Sequence, residues 1–482
     1  MLDNLKLTIA AQSEIELMKK KIGELLSKRG MRVDHPELLQ ILKKAGAVVD
    51  EETRYIRFPL KMQEELLAGM TRKFTLAGIN AENDLPVPHP DNLFYSGSVT
   101  GSLHITTAEG VDRNIQVDDI PEIFQLVNIL ENVEYYSIVT YEPVDLPQAT
   151  TDINSLYYAL NNSDKFGWIQ PFDGPNIKYL LEMASVVVGG KENLAKRPII
   201  SPFTCVTEPF IIKNMDGEAV CRNAEYGIPI FCCSMPTAGA NAPITQPGSV
   251  LMACAEVLGL ILMSQCAKPG IPCIAVPEHL MIDMKSMYTL QSSIELQMGR
   301  MLSAQLFSEG YQIPAFSWGA GTDAFVPGAE SSADVMLTAA TSALSGMTFL
   351  QDAGQLECCR RYSPLQLIVD NEILGMMKVM KKGFDITEES LGFDEVMKID
   401  EKLSFISSGH TFAHCREIFR PRVFNYRSRD VWESEGRPDL YDRGRDMYND
   451  FKKNYKPRFL PDDVNNELKS IVAHANKTIG GL

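Results

Sequence analysis

Apolar residues recur at helical spacing from Ser13 to Ser27, where Ile15, Leu17, Ile22, Leu25 and Leu26 share a face. His35 and Pro36 open a second helix through Lys44, which Gly46 ends. Ala47–Val49 and Tyr55–Phe58 flank an acidic turn and predict a hairpin, and Pro59 precedes a third helix to about Met70. From Leu93 the rhythm changes to short β-branched or aromatic runs, each followed by an amphipathic stretch. The runs are Leu93–Ser98, Tyr136–Thr140, Phe166–Pro171, Ile199–Thr204, Ile228–Ser234, Ile271–Val276, Ile313–Trp318 and Met347–Asp352. Eight such units predict an α/β fold of the (β/α)₈ TIM-barrel type. The eighth helix is expected over Pro364 to Lys382, with helical segments to about His414. A basic, aromatic tail follows, with Arg420, Arg422, Arg427, Arg429 and Trp432, and is expected to wrap the barrel or a partner subunit. The pattern divides the chain into an N-terminal helical layer with a small hairpin (1–90), the barrel (91–385) and a C-terminal helical extension and tail (386–482).

Composition changes this picture little. With 482 residues, 45% hydrophobic and 22% charged, the chain suffices for one large domain with extensions or for two domains. The most apolar run, Val250 to Met263, is too short to span a bilayer and carries Glu256. The first residues lack the pattern of a secretory signal, so a cytoplasmic location is expected. A net charge of −16 makes nucleic acid a poor partner. The ten cysteines are scattered, with adjacent pairs at Cys232–Cys233 and Cys358–Cys359 and no C-x-x-C, and read as reduced thiols. His410 and His414, one helical turn apart, read as packing or partner contacts rather than a metal pair, and no metal site is expected.

In such a barrel the chemistry sits at the C-terminal ends of the strands. The residues placed there are rich in aromatics: Tyr95, Trp168, Phe203, Trp318 and Phe349, joined by Glu208, Glu278, His279, Gln351 and Asp352. No serine, histidine and carboxylate are spaced as a triad, and no Walker or G-x-G-x-x-G motif is present. Ring faces attract cations, and each contributes on the order of 0.5–2 kcal/mol when desolvated. Tyr95, Trp168, Phe203 and Trp318 are therefore expected to form part of an ammonium cage, with Phe349 and Gln351 beside it and Glu208 supplying negative charge.

Four segments carry a more specific signal: MPTAGANAPITQPGSVLMACAEVLGLILMSQCAKPGIPCI from Met235, GTDAFVPGAESSADVMLTAATSALSG from Gly321, FLQDAGQLE from Phe349, and SPLQLIVDNEILGMMKVMKKGFDI from Ser363. The tail from His410, HTFAHCREIFRPRVFNYRSRDVWESEG, fits the same pattern. Together they resemble the trimethylamine methyltransferase family of corrinoid-protein methyltransferases. In that family the founding members carry pyrrolysine near the strand-seven loop. Here Gly319 to Asp323 uses standard residues, and Gly328 and Glu330 stand where the family often has Asp and Gln. The resemblance therefore implies the non-pyrrolysine branch, which is associated with glycine betaine, proline betaine and carnitine. It implies methyl transfer from such a quaternary amine to cob(I)alamin on a partner corrinoid protein. No D-x-H-x-x-G cobalamin sequence occurs, so no cofactor is expected on this chain itself. Asp323 and Glu330, on the segment resembling the family's functional loop, and His279, facing a betaine carboxylate, are the candidate catalytic residues. A betaine-binding sensor on the same barrel is the alternative of a different class. A homo-oligomer with closed symmetry is expected.

Overall fold

A computed structural model describes the chain except residues 1–4, 99–101, 140–142, 144, 399–403, 459 and 482. Eight parallel strands form its centre: β1 (Tyr95–Ser98), β2 (Tyr135–Val139), β3 (Phe166–Gln170), β4 (Ile200–Pro202, continuing at Thr204–Cys205), β5 (Ile230–Ser234), β6 (Cys273–Pro277), β7 (Phe316–Ser317) and β8 (Phe349–Ala353). Each pairs in parallel with the next, and β8 returns to β1 through Phe349–Tyr95 and Leu350–Ser96. The two halves join through β4, whose first part pairs with β3 and second with β5, and through one bridge, Ala275 to Ala315. The expected TIM barrel is the fold. Thr140, placed at the end of the second run, lies outside the described residues.

The helices between strands are α1 (Asp119–Ile129), α2 (Thr151–Asn162), α3 (Ile177–Val188), α4 (Asn214–Tyr226), α5 (Gln246–Ala267), α6 (Ile294–Gln305), α7 (Ala329–Leu344) and α8 (Pro364–Lys382). Their termini follow local chemistry. Gly189 and Gly227 end α3 and α4 in the left-handed conformation, and Ser293 and Ser363 cap α6 and α8. By length and composition α5 could cross a membrane, but 78% of its apolar window is buried inside the protein. It is apolar all round because the barrel covers one side and the N-terminal layer the other. Gly259 permits that approach, since a Cβ there would lie 2.2 Å from Met31 Sδ.

The N-terminal layer holds the expected helices, Gln12–Glu24, Pro36–Lys44 and Leu60–Gly69, and the expected hairpin, Val48–Val49 with Tyr55–Arg57. The pattern did not reveal a strand at Met31–Val33, which pairs with Ile211–Ile212 in the loop after β4 and ties the layer to the barrel. A second hairpin, Phe74–Leu76 with Leu85–Val87, was also not foreseen. It plugs the N-terminal end of the barrel, where Leu76, Leu85 and Val87 join the inner core and Tyr95 Oη donates to Pro86 O at 2.7 Å. The C-terminal tail wraps the barrel. Leu440–Asn454 lies on α8, with Tyr441 Oη 2.9 Å from Gln366 Oε1, and Asp462–Thr478 lies on α2 and α3 through Asn476 and His474.

The lower half of the barrel is filled by rings. Tyr135 lies across Gly97, and a Cβ at Gly97 would be 2.1 Å from that ring. Because Tyr135 Oη is anchored to Leu350 O at 2.7 Å, the ring cannot yield. Gly97→Ala is expected to cost about 1–3 kcal/mol by overpacking, measured by urea denaturation.

Candidate functional site

Above the plug the lumen keeps an aromatic lining. Trp168 on β3 stands 4.5 Å from Phe203 and 6.0 Å from Phe316 between ring centroids. Its indole is oriented by Gln351 on β8: Trp168 Nε1 donates to Gln351 Oε1 at 3.1 Å. Gln351 Nε2 donates in turn to Ser137 Oγ at 2.8 Å and to Ser98 O. Trp318, just past β7, is half-buried and completes this wall.

Polar groups gather at the C-terminal ends of the strands. Glu278, after β6, is fully buried against Arg300 of α6 at 3.2 Å. This pair holds the backbone of Trp318 through both of its flanking peptides: Glu278 Oε1 accepts from Trp318 N at 2.8 Å, and Arg300 Nη1 donates to Trp318 O at 3.0 Å. Burial pushes the Glu278 carboxyl up and the Arg300 charge pulls it back in part. After β6 the chain also sends Gln291 across the mouth, where its Nε2 donates to Asp352 Oδ2 at 2.6 Å. A bulge in β8 between Leu350 and Ala353 leaves Asp352 at φ +85°, re-aiming its side chain toward Gln291. Burial raises Asp352 to about 7, opposed by hydrogen bonds from Gln291 and Cys359.

The loop after β8 is strained. Glu357, Cys358 and Cys359 follow one another at φ +52°, +50° and +67°. Side-chain-bearing residues disfavour this region by about 1–2 kcal/mol each. The turn is held from outside itself: Glu357 N donates to Ala324 O, Cys358 N to Thr322 O, and Cys359 N to Gln355 Oε1. On the opposite rim Glu208 accepts from Met235 N at 2.6 Å, and burial raises its carboxyl. Behind it Glu256 of α5, raised to about 7 by burial, accepts from Phe210 N and Ser234 Oγ.

The structure brings together Trp168, Phe203, Trp318 and Gln351 and sets Glu208 on their rim. It places the other candidates elsewhere. Tyr95 and Phe349 begin their strands, so they lie in the lower layer beside the plug, 5.7 Å apart, and not at the mouth. His279 faces out of the barrel because Glu278 takes the inward position. Its Nε2 lies 2.9 Å from Gln246 Oε1, and a Cβ on Gly299 would meet it at 2.2 Å. Burial and the Arg300 charge hold its pKa down to about 3, so it stays neutral and out of reach of the lumen. Asp323 accepts from Gln291 N and from Ser292 N and Oγ, stapling the β6 loop onto the β7 loop. Glu330 is exposed in the first turn of α7, where the helix dipole favours an acid. Sequence reasoning missed Arg300 and Gln291. Arg300 sits among Leu296, Gly299 and Ser303 on the inward stripe of α6, and a cation on such a stripe was the available signal. The rings of His410 and His414 lie 4.5 Å apart and tilted by 43°, and among the described residues no cluster could hold a metal ion.

An aromatic lumen under buried carboxylates suits a cation. The family model described as trimethylamine methyltransferase (MTTB) matches residues 4–480. The chain belongs to this family. By that membership it is a methyltransferase. A trimethylamine methyltransferase MttB of Desulfitobacterium hafniense (strain DSM 10664 / DCB-2) is 28% identical over 95% of this chain and 92% of the relative. A glycine betaine methyltransferase of D. hafniense (strain Y51) is 24% identical over 98% of both chains. Among solved structures, the monomethylamine methyltransferase MtmB of Methanosarcina barkeri matches with a TM-score of 0.50 and 11% identity, covering 92% of this chain and 93% of that one. At that identity the likeness speaks for the shared fold.

Proposed function

We propose that this methyltransferase moves a methyl group from a quaternary amine, glycine betaine first, to Co(I) of a separate corrinoid protein, releasing the tertiary amine. The observation that carries this reading is the lumen itself, with Trp168, Phe203 and Trp318 beneath the carboxylates of Glu208 and Asp352. Rings and acids together offset the cost of stripping water from a permanent cation. In-line displacement at the methyl carbon breaks the C–N bond, and the electron pair leaves on nitrogen as a neutral amine. No proton need be supplied, so a general acid is not required, which accords with a neutral His279 outside the lumen and an exposed Glu330. The chain's contribution is then to hold the cation in line and exclude water. The glycine betaine methyltransferase relative supports the choice of donor.

The test is a panel of glycine betaine, proline betaine, carnitine, butyrobetaine and trimethylamine, each incubated with the enzyme and a reduced corrinoid protein. Formation of methyl-Co(III) is followed by absorbance. Glycine betaine is expected to turn over fastest. Conversion of trimethylamine alone would sink the quaternary reading, and binding without conversion of any donor would favour a sensor.

Asp352 gives this reading a pH signature. Its folded pKa of about 7 lies above the ordinary carboxylate value, so its stabilising contribution is full at low pH and is lost as pH rises through about 7. Cation binding runs the other way, because the ionised form attracts the ammonium. Affinity for glycine betaine is expected to rise several-fold from pH 6 to pH 8, and Asp352→Asn to flatten that rise. Titration calorimetry across this range decides it, and a slope unchanged by the substitution would remove Asp352 from the site.

A further inference from the structure

The loop after β4 carries Glu208 to the rim of the lumen, and the N-terminal layer holds that loop from behind. Two backbone bonds close its base, Thr207 N to Ile211 O at 2.8 Å and Ile211 N to Thr207 O at 3.0 Å. Glu208, Pro209 and Phe210 form its tip. Phe210 sits at φ +62°, a conformation that residues bearing a side chain disfavour. The tip therefore has to be held by groups outside itself, and three contacts on Phe210 do so. Its N–H donates to Glu256 Oε1 of α5 at 2.6 Å. Its carbonyl accepts from Arg32 N at 2.9 Å. Its ring lies under the Arg29 guanidinium, whose carbon is 3.9 Å from the ring centroid.

Two of these three holds come from the N-terminal layer. The helix Gln12–Glu24 ends in a single π turn, Leu25–Arg29, the kind of irregularity that recurs at functional sites. The strand Met31–Val33 then runs beside Ile211–Ile212. Arg29 is exposed and, among the described residues, forms no ion pair, so neither burial nor a salt bridge accounts for its place over the ring. A guanidinium on a ring face is attractive in its own right. Glu256 is fully buried, and its second oxygen accepts from Ser234 Oγ at 2.5 Å. Ser234 ends β5, and the next residue, Met235, donates its N–H to Glu208 at 2.6 Å. Glu256 thus holds both sides of the contact that aims Glu208: Phe210 on the loop of Glu208, and Ser234 beside the N–H that Glu208 accepts.

We propose that Arg29 and Glu256 are positioning residues for Glu208, acting through Phe210, so that the N-terminal layer sets how tightly the lumen holds a cation; this rests on the lumen being a cation site. Titration calorimetry with tetramethylammonium, which carries the charge and no carboxylate, tests it in the full chain. Glu208→Gln is expected to weaken binding about five-fold, the worth of one charge pair that water still reaches. Arg29→Ala and Glu256→Ala are each expected to weaken it by up to the same factor. Neither is expected to weaken it further when combined with Glu208→Gln, because each acts through that carboxylate. Glu256→Gln is expected to keep the wild-type affinity, since its amide oxygen still accepts from Phe210 N and its amide N–H can donate to Ser234 Oγ. Arg29 lies on the surface, so its variant reads the contact even if Glu256→Ala does not fold. A Glu208→Gln that leaves binding unchanged removes Glu208 as the acid of the cation site and overturns the proposal with it. A Glu208→Gln that weakens binding while Arg29→Ala does not overturns the proposal alone. Equal losses with and without Glu208→Gln would do the same, and a Glu256→Gln as weak as Glu208→Gln would assign Glu256 a direct charge role instead.

Discussion

Arg300→Met is expected to destabilise the fold by about 3–5 kcal/mol, because it leaves Glu278 buried without a counter-charge. Both side chains are essentially inaccessible, and Arg300 also holds the carbonyls of Gln291 and Trp318, so the lost hydrogen bonds have no water to replace them. The double variant Arg300→Met with Glu278→Leu is expected to recover much of the loss, since replacing a buried pair with apolar residues is often close to neutral. Urea denaturation of the single and double variants decides the matter. A double variant less stable than Arg300→Met would show that the pair is not the source of the penalty. The recovered protein should still bind donor poorly, because the backbone of Trp318 has lost both of its clamps.

Trp318→Ala is expected to weaken glycine betaine binding by up to about 30-fold, the upper end of a desolvated cation–ring contact. Trp318 is the better choice for this test than Trp168. Trp168 is buried among Phe203 and Phe316, so its removal also opens a core cavity, whereas Trp318 is half-buried and costs less to truncate. Trp318→Phe is expected to keep most of the affinity, because a ring face remains. Calorimetry with glycine betaine separates the cases, and unchanged affinity in Trp318→Ala would sink the cage.

The barrel was legible because its signal is local. Each strand is a short apolar run, and each helix repeats its apolar face every three to four residues, so the eight units could be read one at a time. The site was legible only in part, for two reasons visible in particular residues. One is parity. Glu278 and His279 are neighbours, and which of them faces the lumen depends on a one-residue register that an apolar run does not fix. The other is height along the strand. Tyr95 and Phe349 were placed at the mouth because they fall in the right runs, yet both begin their strands and therefore sit at the far end. Arg300 and Gln291 were illegible for another reason. Their partners, Glu278, Trp318 and Asp352, come from three different strand ends, and only the closed barrel makes them neighbours. The plugging hairpin carries too few residues per strand to register as a pattern.

That hairpin has a consequence for the order of events. Among the described residues, Leu76, Leu85 and Val87 seal the N-terminal end and leave the lumen its C-terminal mouth; in the proposed reaction the methyl acceptor stands in that mouth during transfer. The donor then has to enter before the acceptor arrives, and the spent amine has to wait behind it. The kinetics should accordingly be compulsory-order, with the amine as the last product out and a competitive inhibitor of the next donor.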